Sequence, residues 1–339
     1  MQRACGRSPG LTATGQALDA GGKPSYDDCR VLALIGRRPA QTLRFRTLPL
    51  GLIIVLLFAW VGLAWPGQVS VVDDTGNTVT LPGPAQRVIS LAPDLTEILF
   101  HLGGGHLLVG AVEHSDFPEA AQQVPRIGSH NRFNFETILR MQPDLVLAWA
   151  SGNPAELVKR LEQLGLTVYR AEPATLDQLA TTLARVGTLI GRAQASAALA
   201  SAFRSKAVAI QQHYQQRPVL SVFYQVWHQP LITLNGKHLV SRLLVHCGAS
   251  NVFSDLPDIA PVVSRESVIA RNPQIIIAGG TTAGAPAWLD DWQTWDKIDA
   301  VAAGHLFSVN ADLLHRHSPR VLEGMRELCE IIDRARSGN

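Results

Sequence analysis

Two glutamates of this chain stand in the same local frame. Glu136 in "NFETILRMQPDLVLAW" and Glu266 in "SRESVIARNPQIIIAGG" each precede a proline by seven residues (Pro143, Pro273), and a short apolar run follows each proline. The frame reads as a short helix, stopped by the proline, that feeds a buried strand. The carboxylate then lies in the first helical turn, where the helix dipole favours it by about 0.3–1 kcal/mol. For either residue alone that is reason enough. The same placement twice, 130 residues apart, carries a second reading: a matched pair of exposed negative points, one on each of two related units. That is chemistry for recognition. For catalysis the chain offers little: past the apolar segment that ends at residue 65 there is no G-x-S-x-G, no P-loop and no C-x-x-C. "HLGGGH" (His101–His106) lacks the order of a dinucleotide-binding turn and reads as a helix ended by glycine. No enzyme is expected.

The elements that would hold these carboxylates alternate. "VVDDTGNTVTLPGP" is a small β-ribbon turning at Asp74–Asn77; "RVISLA", "LLVGAV", "DLVLAW" and "TVYRA" are strands, separated by helices such as "DLTEILFHLGGG" and "PAELVKRLEQLG". Alternation of this kind predicts parallel sheets covered on both faces. From Thr175 about 40 residues pass without proline; Thr175–Gln178 has the form of a capping box, and one helix to about Ile190 and a long one from about Arg192 to Gln216 are expected. Strand and helix then alternate again from "VLSVFYQV" to a last helix after Pro319. The fold class is α/β, two Rossmann-like lobes with parallel central sheets joined by one long α-helix. The boundaries read as 70–175 for the first lobe, 176–217 for the helical link and 218–336 for the second lobe.

The 339 residues are 46% hydrophobic with a formal net charge of +2, enough apolar material for two cores and no basic run that would suit nucleic acid. Seven tryptophans are many for this length. Residues 48–65, "LPLGLIIVLLFAWVGLAW", carry no charge and follow Arg44 and Arg46. They read as an export signal or, left uncleaved, as a membrane anchor. Residues 1–47 fit neither and read as an extension from a misplaced start. No cysteine directly follows the apolar segment, so no lipid anchor is expected. Past it lie Cys247 and Cys329, in an oxidising compartment a natural disulfide pair, with two separate buried thiols as the alternative.

Taken together, "DDTGNTVTLPGPAQRVISLAPDLTEILFHLG", "SDFPEAA", the two glutamate frames, "VHCGASNVF" and "SPR" before the last helix resemble the helix-bridged, two-lobed solute-binding proteins of ABC importers. That class serves cobalamin, haem and ferric siderophores. "PDLVLAWASGN" is most similar to its cobalamin-binding branch. The resemblance implies a carrier exported to the periplasm of a Gram-negative bacterium. It places a disulfide on Cys247 and Cys329 and makes Glu136 and Glu266 docking points for arginines of an inner-membrane permease dimer. A ligand cleft between the lobes is implied, with Trp149 stacking on the cargo and Asp312 and Arg316 on the opposite lip. No cofactor is implied; the metal arrives as part of the cargo.

Departures from that branch concentrate in histidine. His114 and His130 stand where it has aromatics, the opposite lobe offers His315 and His317, and "YQVWHQP" adds Trp227 and His228. Each histidine alone is most simply a solvated loop residue. Several at one cleft mouth suggest that His114, His130 or His315 serves as an axial ligand to a cargo metal, since neutral imidazole binds cobalt, iron and zinc. Two cargoes therefore stand side by side: a cobalamin or related corrinoid, and a haem, ferric siderophore or other metal chelate with histidine ligands. The expected ligand contacts are Trp149, His114, His130, Trp227, Asp312 and Arg316.

Overall fold

A computed structural model describes residues 67–281 and 284–338. The expected signal or anchor and the extension before it lie outside the described residues. The chain enters through an antiparallel ribbon, β1 (Val69–Val72) and β2 (Thr78–Leu81). Its turn is built by two aspartates with separate tasks. Asp73 accepts from the Thr75 and Asn77 amides and so makes the turn itself. Asp74 accepts from Tyr169, Thr182 and Arg185 and from the Glu172 amide, which ties the ribbon to the lobe it precedes.

The first lobe runs β3 (Val88–Ser90), α1 (Pro93–His101), β4 (Leu108–Ala111), the hairpin β5 (Gly128–Ser129) and β6 (Arg132–Phe133), α2 (Phe135–Arg140), β7 (Leu145–Trp149), α3 (Ala155–Gln163) and β8 (Val168–Ala171). Its sheet is parallel, in the order β4-β3-β7-β8. Helices α4 (Leu176–Leu189) and α5 (Ala193–Tyr214) follow. They pack closely because Gly187 has no side chain: a Cβ there would lie 2.1 Å from that of Ser196.

The second lobe runs β9 (Leu220–Gln225), the hairpin β10 (Trp227–His228) and β11 (Leu231–Ile232), α6 (Leu239–His246), β12 (Ala249–Asn251), α7 (Arg265–Arg271), β13 (Ile275–Gly280), α8 (Asp299–Ala302), β14 (Leu306–Asn310), α9 (Ala311–His315) and α10 (Val321–Ser337). A 3₁₀ segment, Ala287–Thr294, lies between β13 and α8. Its sheet, β12-β9-β13-β14, is also parallel and matches the first strand for strand. Both are buried, as expected of sheets flanked by helices on two faces.

The repeat seen in sequence extends into atomic detail. Asn134 caps α2 through the Thr137 amide, and Ser264 caps α7 through the Ser267 amide. Each helix ends on a residue of positive φ directly before the proline, Gln142 (47°) and Asn272 (39°). The residue after each proline then binds the start of the neighbouring strand: Asp144 accepts from the Gln86 and Arg87 amides, and Gln274 from the Ser221 amide. Cys247, at the end of α6, and Cys329, in α10, form a disulfide that closes 82 residues of chain.

Candidate functional site

The carboxyl ends of the two sheets face each other, because residues that follow them meet. Arg316, just past α9, is 13% exposed and makes three ion pairs: with Asp312 of its own lobe (3.1 Å), with Glu97 of α1 (3.0 Å) and with Asp116 beyond β4 (2.7 Å). Glu97 is 2% exposed and also accepts from Arg320 (3.1 Å) and from the Ser318 hydroxyl (2.5 Å). Arg320 in turn lies over the Phe117 ring, 3.7 Å from its centroid. One buried carboxylate of the first lobe is thus held by two guanidiniums and a hydroxyl of the second. Burial opposes the charge on Arg316, but Asp116 and Glu97 outweigh it and leave the guanidinium more firmly protonated than usual. Asp116 is likewise held below the ordinary carboxylate range: desolvation opposes its charge, but the hydrogen bond and the attraction of Arg316, with its own backbone amide, together outweigh it. Asp94 at the head of α1 moves the other way, pushed up to about 7 mainly by burial, with Glu97 adding to the effect.

A second contact closes the seam. His317 is buried against the His238 ring, at 5.7 Å between centroids, and lies near enough to the Pro173 carbonyl of the first lobe to feel its dipole. His315 bonds the Tyr224 hydroxyl through Nε2 (2.9 Å). Burial drives all three imidazoles down, His238 to about 3 and His315 and His317 to about 4. They are neutral groups within the fold. The two histidines expected at the second lip are therefore packing and hydrogen-bonding residues, and the Nε2 of His315 is not free for a metal.

The first lobe's side of the cleft is organised by Asn153. Its carboxamide accepts from the Trp149 amide (2.7 Å) and donates to the carbonyls of Leu91 (2.9 Å) and His130 (2.7 Å). Three loops after three strands are pinned by one buried side chain. Trp149 is half-buried at the end of β7, with Gly152 so close beneath the indole that a Cβ would lie 1.8 Å from a ring carbon. His114, with φ of 63°, and His130 are both exposed on these loops. On the other side Trp227 is 51% exposed in the β10–β11 hairpin, and His228 lies against it. Asp312 is exposed, its carboxylate engaged by Arg316.

Glu136 and Glu266 are both exposed, one per lobe. Glu136 pairs with Arg140 one turn on (2.7 Å), a surface pair worth only about 0.3–0.5 kcal/mol. Glu266 is held below the usual carboxylate range by its own backbone amide and the Ser264 hydroxyl.

Sequence reasoning did not single out Glu97, Asp116, Arg320 or Trp288. For Glu97 a signal existed: it lies within the apolar face of "DLTEILFH", beside Leu95, Ile98 and Leu99. A cavity of about 540 Å³ lies where α4, α5 and α6 meet, away from the facing strand ends, and a smaller one of about 240 Å³ adjoins Glu97, Phe117 and Arg320. Among the described residues no group of three or more His, Cys, Asp or Glu is placed to hold a metal ion, and no helix is long and apolar enough to cross a membrane.

The sequence profile of the family "Periplasmic binding protein" matches residues 88–313. A vitamin B12-binding protein of Vibrio campbellii is 34% identical over 254 residues, 75% of this chain and 92% of that protein. One from Yersinia pestis is 33% identical over 255 residues, 75% of this chain and 89% of the relative. Among solved structures, the periplasmic vitamin B12 binding protein BtuF of Vibrio cholerae superposes with a TM-score of 0.69 at 33% identity, covering 75% of this chain and 98% of its own. The periplasmic heme-binding protein RhuT of Roseiflexus shares the fold, with a TM-score of 0.66 at 22% identity over 74% of this chain and 99% of its own.

Proposed function

The chain belongs to the periplasmic binding protein family, and we propose that it carries cobalamin or a related corrinoid between its lobes to an ABC permease dimer in the inner membrane of a Gram-negative bacterium. The single observation that carries this reading is the similarity to vitamin B12-binding proteins, at 34% identity over 75% of this chain and 92% of one of them. The geometry supports it. The cleft offers an indole, Trp149, seated on a glycine and anchored through Asn153, which suits a large, flat, weakly hydrated cargo. The family is one of solute carriers, and the cargo's own cobalt is the only metal the reading requires.

In this reading Glu136 and Glu266 dock on arginines of the two permease subunits. The existing Arg140 pair is weak enough for a partner arginine to replace it. The second cargo, haem or another metal chelate, draws on one feature: His114 and His130 stand exposed on first-lobe cleft loops and open to a metal's free position. Visible spectra of the protein titrated with aquocobalamin, cyanocobalamin and haemin separate the two. Saturable corrinoid binding that survives Glu136→Ala and Glu266→Ala, with transporter stimulation lost in those variants, is the expected result. A haem band without corrinoid response would transfer the protein to the second cargo, and a fall in cargo affinity in the glutamate variants would refute the docking role.

A further inference from the structure

Five tryptophans lie beyond residue 66, and four of these, Trp227, Trp288, Trp292 and Trp295, belong to the second lobe. The cargo reading above uses only Trp149 and Trp227. Two of the others, Trp288 and Trp292, make a continuous support with Phe223. Trp292 is buried, donates from Nε1 to the Gln225 carboxamide (2.7 Å) and meets Phe223 edge-on at 5.6 Å. Trp288 packs on the apolar cluster that contains both. The His228 ring lies flat on Trp288, 5.6 Å between centroids at 10°, and touches Trp227 at 5.3 Å. An imidazole thus links two indoles, and the row rests on a fixed base.

The exposed end of this row has the character of a binding face. Trp227 satisfies its Nε1 on the Gln229 carbonyl (3.0 Å) within its own hairpin, which leaves a bare ring half open to solvent. His228 buries Nδ1 without a hydrogen-bond partner. The row follows the ends of β9 and β13, the same sheet edge from which Arg316 reaches the first lobe. It therefore flanks the cleft mouth. Because His228 covers Trp288, one indole face is open, and that area suits a bicyclic ring and is too small for a whole macrocycle.

We propose that Trp227, His228 and Trp288 form a specificity wall that stacks a bicyclic heteroaromatic group of the cargo on the open face of Trp227. This rests on the corrinoid reading, in which that group is the benzimidazole base at the end of the nucleotide tail. Trp227 is the contact residue; His228 and Trp288 position it.

The test is titration of wild type, Trp227→Ala and Trp227→Phe with cobalamin and with cobinamide, which keeps the corrin ring and lacks the base. An aromatic stacking contact predicts roughly a tenfold loss of cobalamin affinity in Trp227→Ala. Most of the loss should return in Trp227→Phe, and cobinamide binding should stay within about twofold throughout. Trp227 is half exposed, so an unchanged melting temperature shows that the fold is intact. Equal loss for both corrinoids would place the ring and not the base on the wall and overturn the assignment; no loss for either would remove the wall. If wild type bound neither corrinoid, the cargo reading itself would fail and the inference with it.

Discussion

Substitution of Glu97 tests the seam between the lobes most directly. In Glu97→Ala, Arg316 keeps Asp116 and Asp312, so its charge remains balanced. Arg320 keeps only the face of Phe117, and the fully buried Ser318 hydroxyl loses its acceptor. Breaking a buried ion pair by removing one partner costs about 3–5 kcal/mol, and a buried hydroxyl left unpaired about 1–3 kcal/mol within that figure. The retained carboxylates put the expected loss near the lower end, about 3 kcal/mol. For a domain of this size that corresponds to a fall in Tm of roughly 6 °C. Glu97→Gln keeps the shape and an acceptor for Ser318 and should fall by roughly half as much. Calorimetry at low and high salt is the assay, since a pair this buried should lose as much in 0.5 M salt as in 0.05 M, unlike a surface pair. X-ray scattering of the same variants should show a wider spread of lobe angles. If Glu97→Ala melted within about 1 °C of wild type, the buried carboxylate would not be holding the lobes together.

Acid should weaken the protein. His238, His315 and His317 are less basic folded than their ordinary value of 6.5, so below pH 6.5 the unfolded chain takes up protons that the folded one does not, and stability is lost from there down to about pH 4. Asp94 acts in the opposite sense, its folded carboxyl regaining a proton as pH falls through about 7. Three groups oppose one, so Tm should be lower at pH 5 than at pH 7.5, and an equal or higher value would contradict the burial of the histidines. Reduction of Cys247–Cys329 frees a loop of 82 residues and should cost about 2–4 kcal/mol. A Tm unaffected by reductant, with thiol release confirmed by labelling, would rule that contribution out.

Much of this molecule is local, and local features were legible. The frame around each glutamate joins a cap, a short amphipathic helix, a proline stop and a β-branched run, all set by near neighbours in the chain. Reading it twice gave two lobes, and the proline-free stretch after Thr175 gave the helices between them. Other local elements escaped because they are too short to show a period: the hairpins β5–β6 and β10–β11, the strand β12 and the 3₁₀ segment Ala287–Thr294.

The site divides along the same line. Trp149 with Gly152 and Asn153 lies within five residues, and both the indole's seat and its hydrogen bonds are made there. The seam is different: Glu97 meets Ser318 across 221 positions and Arg316 across 219, and nothing near either end announces the other. Histidines 315 and 317 looked like open ligands because sequence shows residue type and not surroundings; only packing against Tyr224, His238 and Pro173 made them buried and neutral. By itself the sequence determined the repeated lobe, its capped helices and the pair of outward carboxylates, because short-range sterics and periodicity suffice for them. Which charges bind the lobes and which imidazoles stay open were decided only by the tertiary structure, because desolvation and ion pairing depend on what the fold brings alongside.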